Sequence, residues 1–203
     1  MTLPFEQPLH KLQFYVTTPY KCGYLPNKLA QSLIASPQHL IDANIYSGLI
    51  TQGFRRSGKF AYRPHCENCR ACVAVRLILG EFSPTRSQKR AFKYHADLSA
   101  QILPLYYNPE HFALYSNYQS LRHYDETSIE AKDDEEQYRQ FLCQSNVESL
   151  MIEFKDANNQ VKIVSVIDIV QDGVSAVYTF YDALEAKSSF GTYAIMWLAE
   201  WAK

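Results

Sequence analysis

Residues 149–181 read SLMIEFKDANNQVKIVSVIDIVQDGVSAVYTFY, and their pattern decides the fold class. Three apolar, β-branched runs, Ser149–Lys155, Val161–Val170 and Ser175–Tyr181, are separated by Asn158-Asn159 and Asp172-Gly173. Such pairs suit hairpin turns because Asn, Asp and Gly tolerate positive φ. The spacing therefore predicts three consecutive antiparallel strands. Helix-period segments flank them: His111 to His123 with Leu114, Tyr118 and Leu121 on one face, Glu135 to Cys143, and an apolar stretch from Thr192 to Lys203. The run Asp133-Asp134-Glu135-Glu136 suits the start of the second of these helices, where the macrodipole favours negative charge. Helix, helix, three strands, helix makes residues 106–203 an α+β domain.

Outward from there, residues 1–105 read as a second, small α+β domain. Leu12, Phe14 and Val16 alternate as a strand does. After Pro26, Leu29, Leu33 and Ile34 stand at helical spacing and predict a helix from Asn27 to Ser36, stopped by Pro37. Residues 39–51 carry apolar side chains on a mixed period and end at Gly53. Val73, Val75 and Leu77 alternate as a strand, Ser87 to Tyr94 reads as a short basic helix, and Leu98 to Leu105 as another strand.

The 203 residues are 47% hydrophobic and 20% charged, which excludes disordered, collagen-like and membrane-spanning classes. No run approaches the roughly 18 apolar residues of a membrane span, and Met1 to His10 has two prolines and no signal-peptide core. The net charge of -1 hides opposed parts: residues 51–100 carry 10 Lys and Arg against 3 Asp and Glu, and residues 101–203 carry 7 against 16. Two readings follow, a basic surface built to meet phosphates or carboxylates, and two faces that neutralise each other.

Of the five cysteines, Cys66, Cys69 and Cys72 stand at two consecutive C-x2-C spacings. With Cys22 or His65 as a fourth ligand, such spacing directs sulfurs at one zinc ion or iron–sulfur unit; the bland reading is small apolar residues packed in a reduced loop. An odd count with three thiols clustered argues against a disulfide framework and points to a reducing cytoplasm. Beside the cluster lie Arg55, Arg56, Ser57 and Lys59, then Arg63, Arg70 and Arg76, interleaved with Phe54, Phe60 and Tyr62. Arginine's planar fork bonds carboxylate or phosphate bidentately, so this block suits a nucleic-acid end or a carboxylate.

Several blocks together carry a family resemblance: Tyr20-Lys21-Cys22-Gly23-Tyr24-Leu25-Pro26, the run from Gly53 to Cys66, Cys72 to Arg76, Ser87 to Arg90, Ala176 to Asp182 and Ser189 to Tyr193. In this order they resemble the arginyl-tRNA–protein transferase family, and within it the bacterial branch that uses leucine. The resemblance implies transfer of leucine from leucyl-tRNA to the N-terminal amine of proteins beginning with Asp or Glu, which marks them for degradation. It implies a GNAT-like acyltransferase domain for residues 106–203, with a further strand beyond Lys203, and no required cofactor. The metal of family members with C-x-x-C maps less directly here, because Cys22-Gly23-Tyr24-Leu25 lacks the second thiol. An arginyl donor, a non-catalytic RNA- or peptide-binding module and an acetyl coenzyme A enzyme are the alternatives.

For such a transfer Arg55, Arg56 and Arg76 are candidate readers of the acceptor carboxylate, with Ser57 beside them. Ser189, Gly191 and Thr192 open the last helix, where backbone N–H groups favour phosphates. Tyr178 and Tyr181 are candidates to polarise the ester or protonate the leaving hydroxyl, and Asp168 to orient the amine.

Overall fold

The computed structural model describes residues 12–122, 134–185 and 189–203. Its first half is built on a four-stranded antiparallel sheet. The strands β1 (Gln13–Val16), β4 (Ser32–Ser36), β5 (Arg55–Ser57) and β6 (Phe60–Pro64) lie in the order β1-β4-β6-β5, and β2 (Tyr20–Lys21) pairs separately with β3 (Leu29–Ala30). The helix expected from Asn27 to Ser36 is therefore strand. Leu29, Leu33 and Ile34 match a helical period over too short a window to exclude alternation, and Leu33 and Ile34 in fact point to opposite faces. Asn27 sits in the left-handed region at φ 57, in a turn and not at a helix cap.

Helix α1 (Ala43–Thr51) forms within the segment expected to be apolar and periodic. Asp42 caps it by accepting from the Ile45 N–H at 2.8 Å, and Gly53 leaves it at φ 82, a backbone state that glycine adopts without a Cβ penalty. Tyr46 and Leu49 then pack over Ala35, Phe54 and Ala61 on one face of the sheet. The strand expected at Val73 to Leu77 does not form. Val73 and Val75 are 74% and 92% exposed, because alternation makes a strand only where a neighbouring edge supplies hydrogen bonds, and this segment pairs with no strand among the described residues.

The second sheet comprises β7 (Ser99–Pro104), β8 (Ser149–Lys155), β9 (Val161–Val170) and β10 (Gly173–Tyr181), in the order β10-β9-β8-β7, all antiparallel. The hairpins fall at the expected pairs, with Asn159 and Gly173 both at positive φ. Helices α3 (Pro109–Arg122) and α4 (Glu135–Leu142) cover one face, where Tyr115, Tyr138 and Leu142 meet Met151, Val164, Val166 and Phe180. Helices α2 (Arg86–Tyr94) and α5 (Phe190–Trp201) cover the other, where Phe92, Phe190, Tyr193 and Leu198 meet Ile152, Phe154, Ile163 and Ile167. Both β7 and α2 precede residue 106, so a division at 105 separates them from the sheet they complete. No helix among the described residues is long and apolar enough to cross a membrane.

Candidate functional site

Strand period sends neighbours to opposite faces, and that rule separates Arg55 from Arg56. In the first sheet Phe14, Ala35, Ala61 and Arg56 lie across from one another on the face covered by α1. Tyr15, Ile34, Tyr62 and Arg55 form the next cross-strand row, on the face that α1 does not cover.

Arg56 runs inward to the second sheet. Its Nε donates to both carboxylate oxygens of Asp168, at 3.0 and 2.8 Å, and its Nη2 donates to Asp168 Oδ1 at 2.8 Å. Its Nη1 donates to the carbonyls of Gly58 and Gln144, each at 2.9 Å. Ser149 Oγ donates to Asp168 Oδ1 at 2.6 Å, and the two charged side chains are 3% and 0% exposed. Both roles expected from sequence are thereby corrected: the carboxylate that Arg56 reads is Asp168, and Asp168 is buried and paired with Arg56 and Ser149, away from any incoming amine. Burial first, and then the Asp168 charge, push the nearby Tyr46 phenol well above its ordinary pKa.

Arg55, by contrast, lies on the open face. Its guanidinium stands 5.0 Å from the centroid of the Tyr62 ring, with the Tyr24 hydroxyl in hydrogen-bonding reach. Partial burial works against its charge, but Tyr62 and Tyr24 outweigh that and raise its pKa above the ordinary arginine value. Beside it Thr17, Ser32, Ile34, Ser57, Phe60 and Tyr62 line an open groove of about 310 Å³. The Tyr20 and Ser32 hydroxyls meet at 2.7 Å over the same strand. Ser57 lies on the same face of β5 as Arg55. Arg76 lies elsewhere: its Nη1 donates to Asp172 at 2.7 Å in an exposed pair at the β9–β10 turn.

Tyr178 and Tyr181 lie near the other end of β10. Tyr181 stands eight positions beyond Gly173, roughly 26 Å at strand rise, so Arg76 and Tyr181 cannot serve one reacting atom. Tyr178 packs at 5.2 Å from Phe141, and Tyr181 at 4.9 Å from Tyr118, ring centroid to ring centroid. Arg122 Nη2 donates to the Tyr181 hydroxyl at 3.2 Å and the guanidinium lies 5.8 Å from that ring's centroid. A Cβ placed on Gly191 would stand 3.5 Å from the Tyr181 ring, so α5 begins flush against it. Ser189 takes φ 58 and its side chain caps nothing; Gly191 and Thr192 follow in the first turn. Ser188 is outside the described residues.

All five cysteines, Cys22, Cys66, Cys69, Cys72 and Cys143, are free thiols, and among the described residues no three His, Cys, Asp or Glu side chains form a group able to hold a metal ion. Among the described residues Cys22, Cys66, Cys69 and Cys72 are not brought together as a ligand group. Individual thiols differ in another way. Backbone N–H groups of Tyr24 and Leu25 lower the pKa of Cys22, whereas burial pushes Cys143 up to about 11. More thiolate at Cys22 means faster alkylation. At pH 7.5 a limiting maleimide is expected to label Cys22 at least about tenfold faster than Cys143, as read by peptide mass mapping; equal rates would contradict the assignment.

Sequence reading grouped Arg55 with Arg56, though the alternation of β5 already assigned them to opposite faces. It overlooked Arg122, whose only signal was a cation at the end of a predicted helix.

Comparison with known proteins gives a consistent picture. Residues 20–90 match the family described as arginine-tRNA-protein transferase, N terminus, and residues 110–203 match its C terminus. An aspartate/glutamate leucyltransferase of Methylobacillus flagellatus is 63% identical over 201 residues, covering 99% of this chain and 80% of that protein. Proteins of the same description from Polynucleobacter asymbioticus and Thiobacillus denitrificans are 50% and 48% identical, over 100% and 98% of this chain and 83% and 82% of theirs. A solved structure, L-PGS from Bacillus licheniformis, is similar at a TM-score of 0.43 and 11% identity, over 61% of this chain and 39% of that one, which is too distant to bear on the fold.

Proposed function

The chain belongs to the arginine-tRNA-protein transferase family, and from that membership we propose that it moves leucine from leucyl-tRNA to the α-amine of proteins beginning with Asp or Glu, marking them for degradation. The observation that carries this reading is the 63% identity, across 99% of the chain, to an aspartate/glutamate leucyltransferase. A GNAT-like second domain is part of the proposal. It is supported by the antiparallel sheet with two helices on each face and by the helix that follows its last described strand.

The aminoacyl ester is already activated, so the enzyme must chiefly hold two substrates together. The acceptor nitrogen attacks the ester carbonyl carbon, a C–N bond forms, the bond to the ribose oxygen breaks, and one proton passes from nitrogen to that oxygen. An α-amine titrates at about 7.7–8.0, so an appreciable fraction is neutral at cellular pH and a strong general base is unnecessary. Asp168, fully paired inside the protein, is accordingly not asked to act as one.

The donor end is placed at the start of α5. Its first-turn N–H groups at Phe190, Gly191 and Thr192 favour an anion, and the Arg122 guanidinium beside Tyr181 adds a formal charge for the terminal phosphate. Tyr181, held by Arg122, and Tyr178, packed on Phe141, are then the hydroxyls nearest the ester. Acceptors with Asp in the first position are expected to be leucylated about 100-fold faster than otherwise identical acceptors with Asn, because an amide cannot accept a charge-assisted bidentate pair. Labelled leucine transferred equally to both peptides would overturn this reading.

A further inference from the structure

Recognising an acidic first residue needs a cation that no carboxylate of the protein has already satisfied. Of the three arginines expected from sequence, Arg56 is spent on Asp168 and Arg76 is paired with Asp172 at the wrong end of β10. Arg55 makes no ion pair with a carboxylate among the described residues, and the groups that act on it are Tyr62, Tyr24 and Cys72. The geometry points to the uncovered face of the first sheet as the acceptor site: Arg55 takes the side-chain carboxylate of the N-terminal Asp or Glu, and the groove beside it takes the peptide that follows. This rests on the proposed leucyl transfer and names the site that selects its acceptor.

Three observations converge on a short acidic peptide. First, the guanidinium is already oriented, laid against Tyr62 and reached by the Tyr24 hydroxyl, so little side-chain entropy remains to be lost when a carboxylate arrives. Second, the groove walls, Thr17, Ser32, Ile34, Ser57, Phe60 and Tyr62, are uncharged, so the groove itself offers no track of cations and Arg55 stands beside it on Tyr62. A single-stranded RNA end carries a phosphate per nucleotide and calls for several cations along its track; one carboxylate calls for one. Third, about 310 Å³ lies at the small end of ligand clefts and suits a few side chains better than a run of nucleotides.

The turn after β5 is also joined to the second half of the chain. Gly58, next to Ser57, donates its N–H to the Phe141 carbonyl at 3.0 Å, and the Phe141 ring packs on Tyr178. From Tyr178 the aromatic contacts continue through Tyr118 to Tyr181, beside Gly191. These contacts tie the turn that follows Arg55 and Ser57 to the element carrying the hydroxyls proposed for the ester.

The test uses two peptides that differ only in Asp or Asn at the first position, with leucyl-tRNA as donor, and the Arg55→Gln and Arg55→Lys variants. Arg55 is exposed, so both variants should melt with the parent protein. Arg55→Gln is expected to lower kcat/KM for the Asp peptide by about 100-fold, mainly through KM, and to change the Asn peptide by about twofold or less. Arg55→Lys should recover part of the loss, since it restores charge without the fork. Affinity for leucyl-tRNA, measured by filter binding, should stay within about twofold. An Asp-to-Asn ratio unchanged by Arg55→Gln overturns the site. Parallel loss with both peptides together with weaker leucyl-tRNA binding would make the face an RNA platform instead. If the parent protein leucylates neither peptide, leucyl transfer itself is the reading that fails. Calorimetric titration of the Asp peptide into parent protein and Arg55→Gln still decides the site: binding lost only in the variant supports it, and equal binding removes it.

Discussion

Replacing Arg56 by methionine is expected to lower the unfolding free energy by about 3–5 kcal/mol, because it leaves a buried carboxylate without its counter-ion. Asp168 is completely buried and three of its contacts come from this one guanidinium. The loss also reaches beyond the pair. Arg56 Nη1 satisfies the Gly58 and Gln144 carbonyls, one on each sheet's side of the junction, so removing it uncouples the first sheet from the segment that follows α4. Urea unfolding of the parent protein and Arg56→Met measures the effect, and a difference under about 1 kcal/mol would show that the pair contributes no more than an exposed one. Arg56→Met combined with Asp168→Leu should regain much of the stability, since two apolar groups of similar size remove both desolvation penalties. The contrast with Arg55 is functional: protein that remains folded in Arg56→Met should keep its preference for Asp over Asn, whereas Arg55→Gln should lose it at full stability.

How much of this was legible in the residues differs between the halves. The run from Ser149 to Tyr181 specified three strands, their turns and their order, because each strand is fully or half buried and its turns carry Asn and Gly at the positions that need positive φ. Helices α3, α4 and α5 were legible for the same reason: each sets apolar side chains at helical spacing against a sheet. The first half was less so. Its strands are two to five residues long, too short for period 2 to be told from period 3.6, and Leu33-Ile34 was read as helix. Val73, Val75 and Leu77 show the converse failure, alternation with no partner strand. Site residues followed the same logic. The block around Arg55 and Arg56 marked the chemistry, but which guanidinium faces solvent depended on pairing with Ala61 and Tyr62. The partner of Arg56 lies 112 positions away, a separation that no local pattern reports.

Gly58→Ala is expected to damage both stability and turnover, through a single carbon atom. Gly58 ends β5 at φ +57, where a residue with a Cβ costs about 1–2 kcal/mol. An added Cβ would also come 2.3 Å from the Gln140 carbonyl oxygen and 3.3 Å from its carbon. Those are backbone atoms at the end of α4, so no side-chain rotation can make room. The chain must instead separate there, and the Gly58 N–H loses its 3.0 Å bond to the Phe141 carbonyl. Together these terms give an expected loss of roughly 2–4 kcal/mol in unfolding free energy. The kinetic effect follows from the same displacement: pushing β5 away from Phe141 shifts Arg55 relative to Tyr178, which packs on Phe141, and a shift of about 1 Å in a positioned substrate can cost about 100-fold in rate. The two consequences are separable by assaying at a temperature where the variant is fully folded. There kcat should fall for Asp-initiated peptide with little change in KM, because Arg55 still meets its carboxylate while the amine no longer meets the ester. A variant that melts lower yet turns over at the parent rate would show that the β5–α4 contact holds the halves together without setting the distance between the two substrates.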